Sequence, residues 1–386
     1  MKSLRPVLGR MLHAPWRRAV ARGDCLVLRQ EWLTHAQQLR PPDTLQIRTD
    51  HYQIHGMASP PLLAVLVGVH PDPGAFLALL PNVELVGNPP MAVWRGRVVL
   101  ESVLGSQGYL LQHGDPRSLL LRRWLPLQQR WPTALLLANC LNQNYFHWVA
   151  EALPLLDALE QVQSLGMPAS QPLVVVNAPV PTFVWQWLEI FGIEPARVRP
   201  WTHRRVRVER LLLPSQRFGR LCDEHPHWGR HLYPRWALEF VRRRALLSLS
   251  GQPLLVKEKS TRVFLSRPRS GSRGLANHDQ VLACLQRHGY EEVLAEQLTV
   301  REQIALFASL THLVAIHGAG MVNLIFSSQA RVIELFPANR HFGFTYQFMQ
   351  ISGHFCDCHH LLACPADAQQ NMQVPLDLLE QLLHNN

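Results

Sequence analysis

A histidine and a glutamate four residues apart are side chains whose types and spacing suit proton transfer. His147 and Glu151 lie in the segment NQNYFHWVAEALPLL, residues 142–156, which has helical periodicity from Tyr145 onward. Residues i and i+4 share one face of a helix, so the carboxylate can orient the imidazole as a general base near neutral pH. The alternative interpretation is a structural histidine whose hydrogen bonds are satisfied at a helix start beside two aromatic residues.

Arginines on a loop form a second group with a chemical signature. Arg267, Arg269 and Arg273 lie in LSRPRSGSRGLANHDQ, residues 265–280, between a strand-like run and a predicted helix. The guanidinium group is planar and permanently charged, and it can bind two oxygens of a diphosphate at once. The loop is therefore a candidate diphosphate site, and a solvated loop with scattered charge is the alternative.

A glycine turn between two apolar runs is the third group. In THLVAIHGAGMVNLIFSSQARVIELF, residues 311–336, His317 ends the first run and is followed by Gly318 and Gly320. We predict positive φ at these glycines and a short helix over residues 321–327. The start of such a helix presents unpaired amide groups and the positive end of the helix dipole, which favour a phosphate. The alternative is plain architecture, because strand, turn, helix and strand recur in many α/β proteins.

The elements that must position these groups are clearest in the C-terminal part of the chain. Apolar runs and helical periodicity predict alternating strands and helices there. The predicted strands are residues 262–265 and 290–294, and the predicted helices are residues 278–288, 299–309 and a closing helix at 376–383. Ligands of open α/β sheets lie outside the carboxyl ends of strands, and Arg267 and His317 both follow strand-like runs.

Taken together, the three groups of motifs resemble glycosyltransferase family 61. The motifs are N-Y-F-H-W-x-x-E-x-L-P at 144–154, S-R-x(5)-R-x-L-x-N at 266–277, and H-G-A-G-M-V-N at 317–323 followed by V-I-E-L-F-P at 332–337. Their order and spacing also match, over residues 135–362. The family includes bacterial capsular-polysaccharide enzymes, plant xylan arabinosyl- and xylosyltransferases, and animal O-linked N-acetylglucosaminyltransferases of the secretory pathway.

This resemblance implies an α/β fold of the GT-B type, in which two Rossmann-like α/β domains face a cleft. A chain of 386 residues exceeds what one hydrophobic core usually supports, which agrees with two domains. We predict a basic lead segment over residues 1–40 and an N-terminal, acceptor-side domain over residues 41–250. This N-terminal domain is predicted to be strand-rich at first and Rossmann-like from about residue 135. A C-terminal nucleotide-sugar-binding domain with a closing helix follows over residues 251–386.

The resemblance also implies inverting transfer from a nucleotide sugar to a hydroxyl of a glycan or lipid-linked glycan. Capsular, exopolysaccharide or lipopolysaccharide biosynthesis is the expected setting. His147 is the predicted base and Glu151 its orienting partner, and Glu151 or Asp157 could serve as the base instead. The predicted donor-binding residues are Arg267, Arg273, His317, Gly318, Ala319, Gly320, Asn323 and Glu334.

Two of these donor-side residues have specific expected contacts. His317 is expected to donate to the diphosphate, and Glu334 to accept from the ribose hydroxyls. Asn323 either contacts the ligand or fixes its loop. No D-x-D pair follows a strand to hold a cation against a diphosphate, so we expect no required cofactor, and dependence on a divalent metal stays open.

Two functions of other classes remain as alternatives. One is a noncatalytic polysaccharide-assembly protein with a degenerate GT-B fold. It would bind no sugar nucleotide, and the presence of Arg267, Arg273, His317 and Gly318 argues against it. The other is a Rossmann-type oxidoreductase, which predicts G-x-G-x-x-G after an early strand, whereas the turn here lacks the third glycine.

The net charge of +10 does not indicate nucleic-acid binding. Only three of the 38 basic residues are lysines, and no zinc-finger spacing or aromatic-interleaved basic run is present. The basic segment at residues 5–22 does suit anionic phospholipids. The sequence has no run of 18 apolar residues and no uninterrupted apolar signal region. We therefore expect a cytoplasmic bacterial protein, with peripheral association at the inner face of the cell membrane as an option.

Seven scattered cysteines do not suggest a disulfide framework. Metal-ligand residue types crowd in one place, comprising His354, Cys356, Cys358, His359, His360 and Cys364. Their spacing matches no recognised zinc finger. If this segment is a strand, buried free thiols are the ordinary explanation, and we expect no metal.

Overall fold

The computed structural model describes Arg18, Val20 and residues 26–27, 35–161, 171–221, 231–250, 261–268, 273–341, 343 and 345–385. These residues group into two compact units. The first lies within Met1–Asp43 and Asp72–His227, and the second within Thr44–Pro71 and Trp228–Asn386. The predicted boundary near Gly251 and nearly all of the predicted lead segment's first 34 residues lie outside the described residues.

The described strands, in chain order, are β1 Leu26–Val27, β2 Ala36–Arg40, β3 Asp43–Ile47, β4 Tyr52–His55, β5 Gly68–Asp72, β6 Ala75–Val86, β7 Met91–Trp94, β8 Arg97–Val99, β9 Gln129–Leu136, β10 Leu173–Asn177, β11 Val198–Trp201, β12 Arg205–Pro214, β13 Gly219–Arg220, β14 His231–Leu232, β15 Arg262–Ser266, β16 Glu291–Leu294, β17 His312–Ile316, β18 Ala330–Pro337 and β19 Cys356–Cys364.

The described α-helices are α1 Pro61–Leu66, α2 Gln107–His113, α3 Pro116–Leu120, α4 Tyr145–His147, α5 Asp157–Glu160, α6 Thr182–Ile190, α7 Arg235–Leu247, α8 His278–Arg287, α9 Val300–Ser309, α10 Tyr346–Phe355 and α11 Leu376–Asn385. Trp148–Ala152 is a π-helix. The 3-10 helices are Leu100–Val103, Leu153–Leu156, Pro195–Arg197, Ala295–Gln297 and Ala319–Phe326.

The first unit is built on a mixed sheet with the order β1-β8-β7-β6-β12-β9-β10-β11, and β2 also pairs with β6. Strands β9 to β12 run parallel to one another, whereas β6 is antiparallel to β12 and β7. The chain passes from β9 to β10 on one side and later to β12 on the other. The carboxyl ends of β9 and β12 therefore form a topological switch point, where open α/β sheets bind ligands.

The second unit contains a fully parallel sheet with the order β16-β15-β17-β18-β19-β4. Its central strands are almost entirely buried because helices cover them, as expected for parallel sheets. Helices α8 and α11 share an apolar core with β15, β17 and β18. From β15 the chain moves to β16 on one side and to β17 on the other, so a second switch point lies between β15 and β17.

The α/β class predicted from the sequence is confirmed, and the C-terminal strands and helices lie within one or two residues of their predicted bounds. The observed units divide the chain differently from the predicted ranges. Helix α7 groups with the second unit because it contacts α9 and the 3-10 helix Ala319–Phe326. Its Arg242 donates to the carbonyl oxygens of Ile325 and Ser327, both at 2.6 Å.

Strand β4 was not predicted to lie in the second unit. It comes from the strand-rich region assigned to the first domain, yet Tyr52 and His55 pair with His359 and Leu362 of β19. Among the described residues, no helix is both long enough and apolar enough to cross a membrane.

Candidate active site

The segment that carries His147 follows β9 at the switch point of the first sheet. Asparagine side chains hold its turn: the Asn139 Oδ1 atom accepts from the amides of Leu141 at 2.8 Å and Asn142 at 3.1 Å. Asn144 then caps the first helical turn by accepting from the Phe146 amide at 2.9 Å. These local bonds fix where helix α4 begins and hence where His147 lies.

His147 and Glu151 are brought together as the sequence predicts. The Nδ1 atom of His147 lies 3.0 Å from Oε2 of Glu151, within ion-pair distance, although the two groups are not aligned as an ideal hydrogen bond. The glutamate side chain is 1% exposed and the histidine side chain 16% exposed. The glutamate belongs to the π-helix Trp148–Ala152, a rare geometry that is frequent at functional sites. A buried carboxylate beside the Nδ1 atom can hold the imidazole in one orientation and leave the Nε2 atom available to accept a proton.

Asp157, the other candidate base, has a different environment. Both of its carboxylate oxygens accept from Arg217, at 3.0 Å and 2.8 Å. The Arg217 side chain is fully buried and also donates to Ser215 and to the Phe76 carbonyl oxygen. Asp157 is therefore the counter-ion of a buried arginine that ties α5 to the end of β12. This favours His147 over Asp157 as the base.

Two of the predicted arginines converge at the switch point of the second sheet. The Nη1 atoms of Arg273 and Arg267 lie 3.0 Å and 3.4 Å from the backbone oxygen of His317. Burial and the nearby charges of Arg267 and Arg340 lower the pKa of Arg273 to about 10. Three guanidinium groups thus create a strongly positive region at the carboxyl ends of β15, β17 and β18.

The conformation of Arg273 adds a second observation. Its φ is 66°, in the left-handed region that is costly for a residue with a side chain and is found most often at functional sites. Its buried Nε atom has no hydrogen-bond partner among the described residues. A strained arginine with an unused buried donor is suited to receive an anionic ligand.

The glycine turn differs from its predicted conformation. Neither Gly318 nor Gly320 lies in the left-handed region; Gly318 is extended, with φ 179° and ψ 170°. The following helix is a 3-10 helix, Ala319–Phe326, and begins two residues earlier than predicted. Gly318 closely approaches an arginine instead, because a Cβ atom there would lie 2.4 Å from Nη1 of Arg267 and would displace that side chain.

Gly320 has no such constraint. A Cβ atom at this position would make ordinary contacts with Leu265 at 3.5 Å and Ala295 at 3.6 Å. Asn323, in the second turn of the 3-10 helix Ala319–Phe326, is fully buried and donates to Oε1 of Gln303 at 2.7 Å. That bond holds the 3-10 helix to α9. Ala319 and Gly320 are half-buried and remain predicted ligand-side residues.

His317 and Glu334 form the centre of a buried network. The His317 Nδ1 atom lies 2.5 Å from Oε1 of Glu334, and the Thr345 hydroxyl donates to Oε2 at 2.7 Å. The Nε2 atom of His359 is 3.1 Å from the same Oε2 atom. Glu334 is fully buried, so contact with a ribose would require this network to open. The geometry favours a role in positioning His317.

The network makes a prediction about stability and pH. Burial alone would raise the pKa of Glu334, but the hydrogen bond from His317 and the adjacent ring of His359 lower it to about 2 from 4.5. Burial lowers the pKa of His317 below 6.5, with Glu334 partly opposing this. The unfolded chain therefore binds more protons than the folded chain as pH falls below 6.5, and again between pH 4.5 and pH 2. The free energy of unfolding should therefore decrease as the pH decreases through each of these ranges.

We expect Glu334→Gln to lower the free energy of unfolding at neutral pH by about 3 kcal/mol, because it leaves a buried network half-satisfied. It should also flatten the pH dependence below pH 4.5. Urea unfolding across pH checks both effects. Glu291→Gln is the matched control, since Glu291 is exposed on the same sheet. Equal urea midpoints for the two variants at every pH would contradict this role for Glu334.

A cavity of about 740 Å³ lies beside Arg267. Residues 274–280, at the start of α8, line it together with Asp367, Asn371 and Gln373 from a distant segment. Asn277 fixes this wall by exchanging two hydrogen bonds with the backbone of Val374, at 2.9 Å and 3.0 Å. The cavity adjoins the arginine-rich region, and its volume is within the range of sites that bind small organic ligands.

Sequence reasoning missed several residues of these two regions. Arg340, Thr345 and His359 join the second region, and Arg217 joins the first. Arg340 comes shortly after β18, which ends at Pro337, and Arg267 directly follows β15, so the position of Arg340 was a usable signal. The other three depend on contacts between distant segments.

In the crowded segment, His354 lies in α10 and Cys356–Cys364 is strand β19, which meets the condition for the interpretation as ordinary thiols. Its histidines bond elsewhere: His354 to the Tyr233 carbonyl oxygen, His359 to Ser352, and His360 to His55. Burial raises the pKa of the Cys364 thiol to about 12, so this thiol stays protonated.

A comparison of the sequence with profiles of known protein families finds a match that includes both groups of site residues. Residues 145–333 match the sequence profile of the family described as Glycosyltransferase 61. The chain carries a glycosyltransferase family 61 domain. The matched range includes His147, Glu151, both site arginines and the glycine turn, and it ends one residue before Glu334.

The family 61 match confirms the resemblance predicted from the three motifs and places the chain among the glycosyltransferases, a class of transferase. No curated protein matches the chain.

Proposed function

We propose that this family 61 chain is an inverting glycosyltransferase that moves a sugar from a nucleotide-sugar donor to a hydroxyl of a glycan acceptor. The observation that carries the proposal is the convergence of Arg267 and Arg273 on the His317 carbonyl oxygen, at the switch point of a parallel sheet. Polysaccharide biosynthesis in bacteria is the proposed setting, by resemblance to other family members.

On the donor side, the departing diphosphate gains negative charge as the glycosidic phosphate bond breaks. Buried arginines stabilise that charge more than exposed ones would, because the surroundings are less polar than water. The amides at the start of the 3-10 helix after Gly318 add further donors. No divalent cation is needed in this scheme, since the arginines supply the positive charge.

On the acceptor side, His147 is the proposed base. The Nε2 atom accepts the proton of the acceptor hydroxyl while that oxygen attacks the anomeric carbon from the face opposite the diphosphate. The carbon–oxygen bond to the acceptor forms, the bond to the phosphate breaks, and a nucleoside diphosphate leaves. Glu151 orients the imidazole and stabilises its charge.

We further propose that the two compact units correspond to the two Rossmann-like domains of a GT-B enzyme. Each unit has a parallel region with a switch point, and each switch point carries one group of the predicted residues. In this arrangement the second unit binds the donor and the first supplies the base.

A panel of nucleoside diphosphates and nucleotide sugars, screened by thermal shift, tests the donor side directly. A ligand that binds only the folded chain raises its melting temperature by mass action. We expect at least one nucleotide series to stabilise the protein, and the best sugar nucleotide to support transfer to a glycan acceptor. No shift with any of these compounds would count against the proposal and in favour of a noncatalytic protein.

The two glycines of the turn give a matched prediction. Gly318→Ala should displace Arg267, whose Nη1 atom occupies the space of the new methyl group, and should raise the KM for the donor about tenfold. Gly320→Ala should leave the KM unchanged, because its methyl group meets only ordinary contacts. Steady-state kinetics at varied donor concentration separates the two. Similar KM values for both variants would show that close approach at position 318 does not matter for the donor.

A further inference from the structure

Four side chains of metal-ligand type lie where helices α8 and α11 of the second unit meet. Cys284 and His288 are four residues apart at the end of α8, and Glu380 and His384 are four residues apart on α11. Each pair lies on one face of its helix, because i and i+4 positions are neighbours. This place lies at the opposite end of α8 from the cavity beside Arg267.

The distances are short enough for a shared ion. One ligand atom from each of Cys284, His288 and Glu380 lies within 4.8 Å of the others. The Cys284 Sγ atom is 3.6 Å from Oε1 of Glu380. The ligands of a tetrahedral zinc ion are roughly 3.3 to 3.8 Å apart, given its usual bond lengths. A contraction of about 1 Å, within reach of side-chain rotation, would therefore complete a three-ligand set.

His384 supplies the fourth group. Its ring centroid is 5.0 Å from that of His288, with the two ring planes at 71°. His384 is exposed and can rotate without disturbing the core. Below the cluster, Val281, Leu285 and Leu379 form an apolar floor in which Cys284 is 1% exposed. The thiol is therefore packed against apolar residues, and the three polar side chains lie toward the solvent.

Apolar contacts hold α8 to α11, and an exposed ion pair engages Glu380. Arg287 donates to Oε1 of Glu380 at 2.5 Å and so neutralises the carboxylate. The Glu380 Oε2 atom is a second oxygen that an ion could use. Arg287 and Glu380 are 63% and 40% exposed, so their pairing is weak enough to be replaced.

We propose that Cys284, His288, Glu380 and His384 bind one zinc ion between α8 and α11. One thiolate, two imidazoles and one carboxylate are ligand types that zinc accepts, whereas magnesium and calcium prefer oxygen alone. The ion would fasten the closing helix to α8 and stabilise the second unit, and it would take no part in sugar transfer. The thiol must release its proton on binding, so binding should weaken as pH falls.

Cobalt and zinc titrations of the full chain test the site. We expect one equivalent of Co²⁺ to bind with sulfur-to-metal charge-transfer absorption and the visible spectrum of a tetrahedral site, and Zn²⁺ to displace it. Cys284→Ala should abolish the charge-transfer band. His384→Ala should weaken Zn²⁺ binding at least about tenfold, because removing a ligand costs no less than removing an outer partner.

Cys358→Ala and His312→Ala are matched controls from the same unit, and both should bind Co²⁺ as the parent does. Zinc should also raise the melting temperature of the parent but not that of Cys284→Ala. Absence of Co²⁺ and Zn²⁺ binding would overturn the proposal. So would binding that Cys284→Ala and His384→Ala leave unchanged, since the ion would then lie elsewhere.

Discussion

Replacing Arg273 with alanine should lower kcat/KM for sugar transfer by about 100- to 1,000-fold, the usual cost of removing one preorganised donor to a developing negative charge. Arg273 has the features of such a donor: its pKa is lowered to about 10 by burial and by two arginines, and its Nε atom is buried. Arg273→Lys should recover only part of the loss, because an ammonium group cannot bind two phosphate oxygens in parallel.

Arg331→Ala is the control for this prediction. Arg331 is an exposed arginine at the amino end of β18, away from the carboxyl ends where ligands bind, so its loss should leave kcat/KM near the parent value. Nucleoside diphosphate affinity, measured by thermal shift, should fall for Arg273→Ala alone. Equal kinetics for the two alanine variants would remove Arg273 from the donor site.

Replacing His147 with alanine should lower kcat by about 100- to 10,000-fold, the range typical of losing a general base. Donor affinity should be unchanged, because His147 belongs to the first unit and the residues proposed to bind the donor belong to the second. Glu151→Gln should have a smaller effect, since it keeps the histidine but removes the carboxylate that orients the imidazole. The readouts are kcat with a saturating acceptor and nucleoside diphosphate affinity.

His203→Ala provides the comparison in the same unit. His203 contacts Trp131 and Trp201 through its ring and lies after β11, so we assign it no catalytic role. Its variant should turn over near the parent rate once melting temperatures show that both variants are folded. Near-normal turnover by His147→Ala would mean that another group takes the proton.

The local features of the fold and site were predictable because they depend on short stretches of chain. The i,i+4 spacing of His147 and Glu151 was enough to predict their proximity, and apolar runs located β15 and β17. The glycine turn shows the limit of local reasoning. Gly318 was expected to need positive φ, but its backbone is extended. Its close neighbour is the side chain of Arg267, 51 residues earlier in the chain.

The missed features all join segments that are far apart in the sequence. Strand β4 has an ordinary alternating pattern that says nothing about which sheet it joins. Arg217 becomes a buried partner of Asp157 only after β12 lies beside β9. Thr345 and His359 meet Glu334 only when α10 and β19 are in place. Physical rules for local structure cannot identify such pairs in advance.

The early position of β4 in the chain sets a delay during protein synthesis. Tyr52 pairs with His359, which a ribosome adds about 300 residues later, roughly 15 to 60 s at ordinary synthesis rates. Until β19 is made, β4 has no partner strand and β18 is the exposed edge of the second sheet. An unpaired edge readily captures another chain. The last pairing of this sheet therefore waits for nearly the whole chain, so slow or crowded production should favour aggregation before folding is complete.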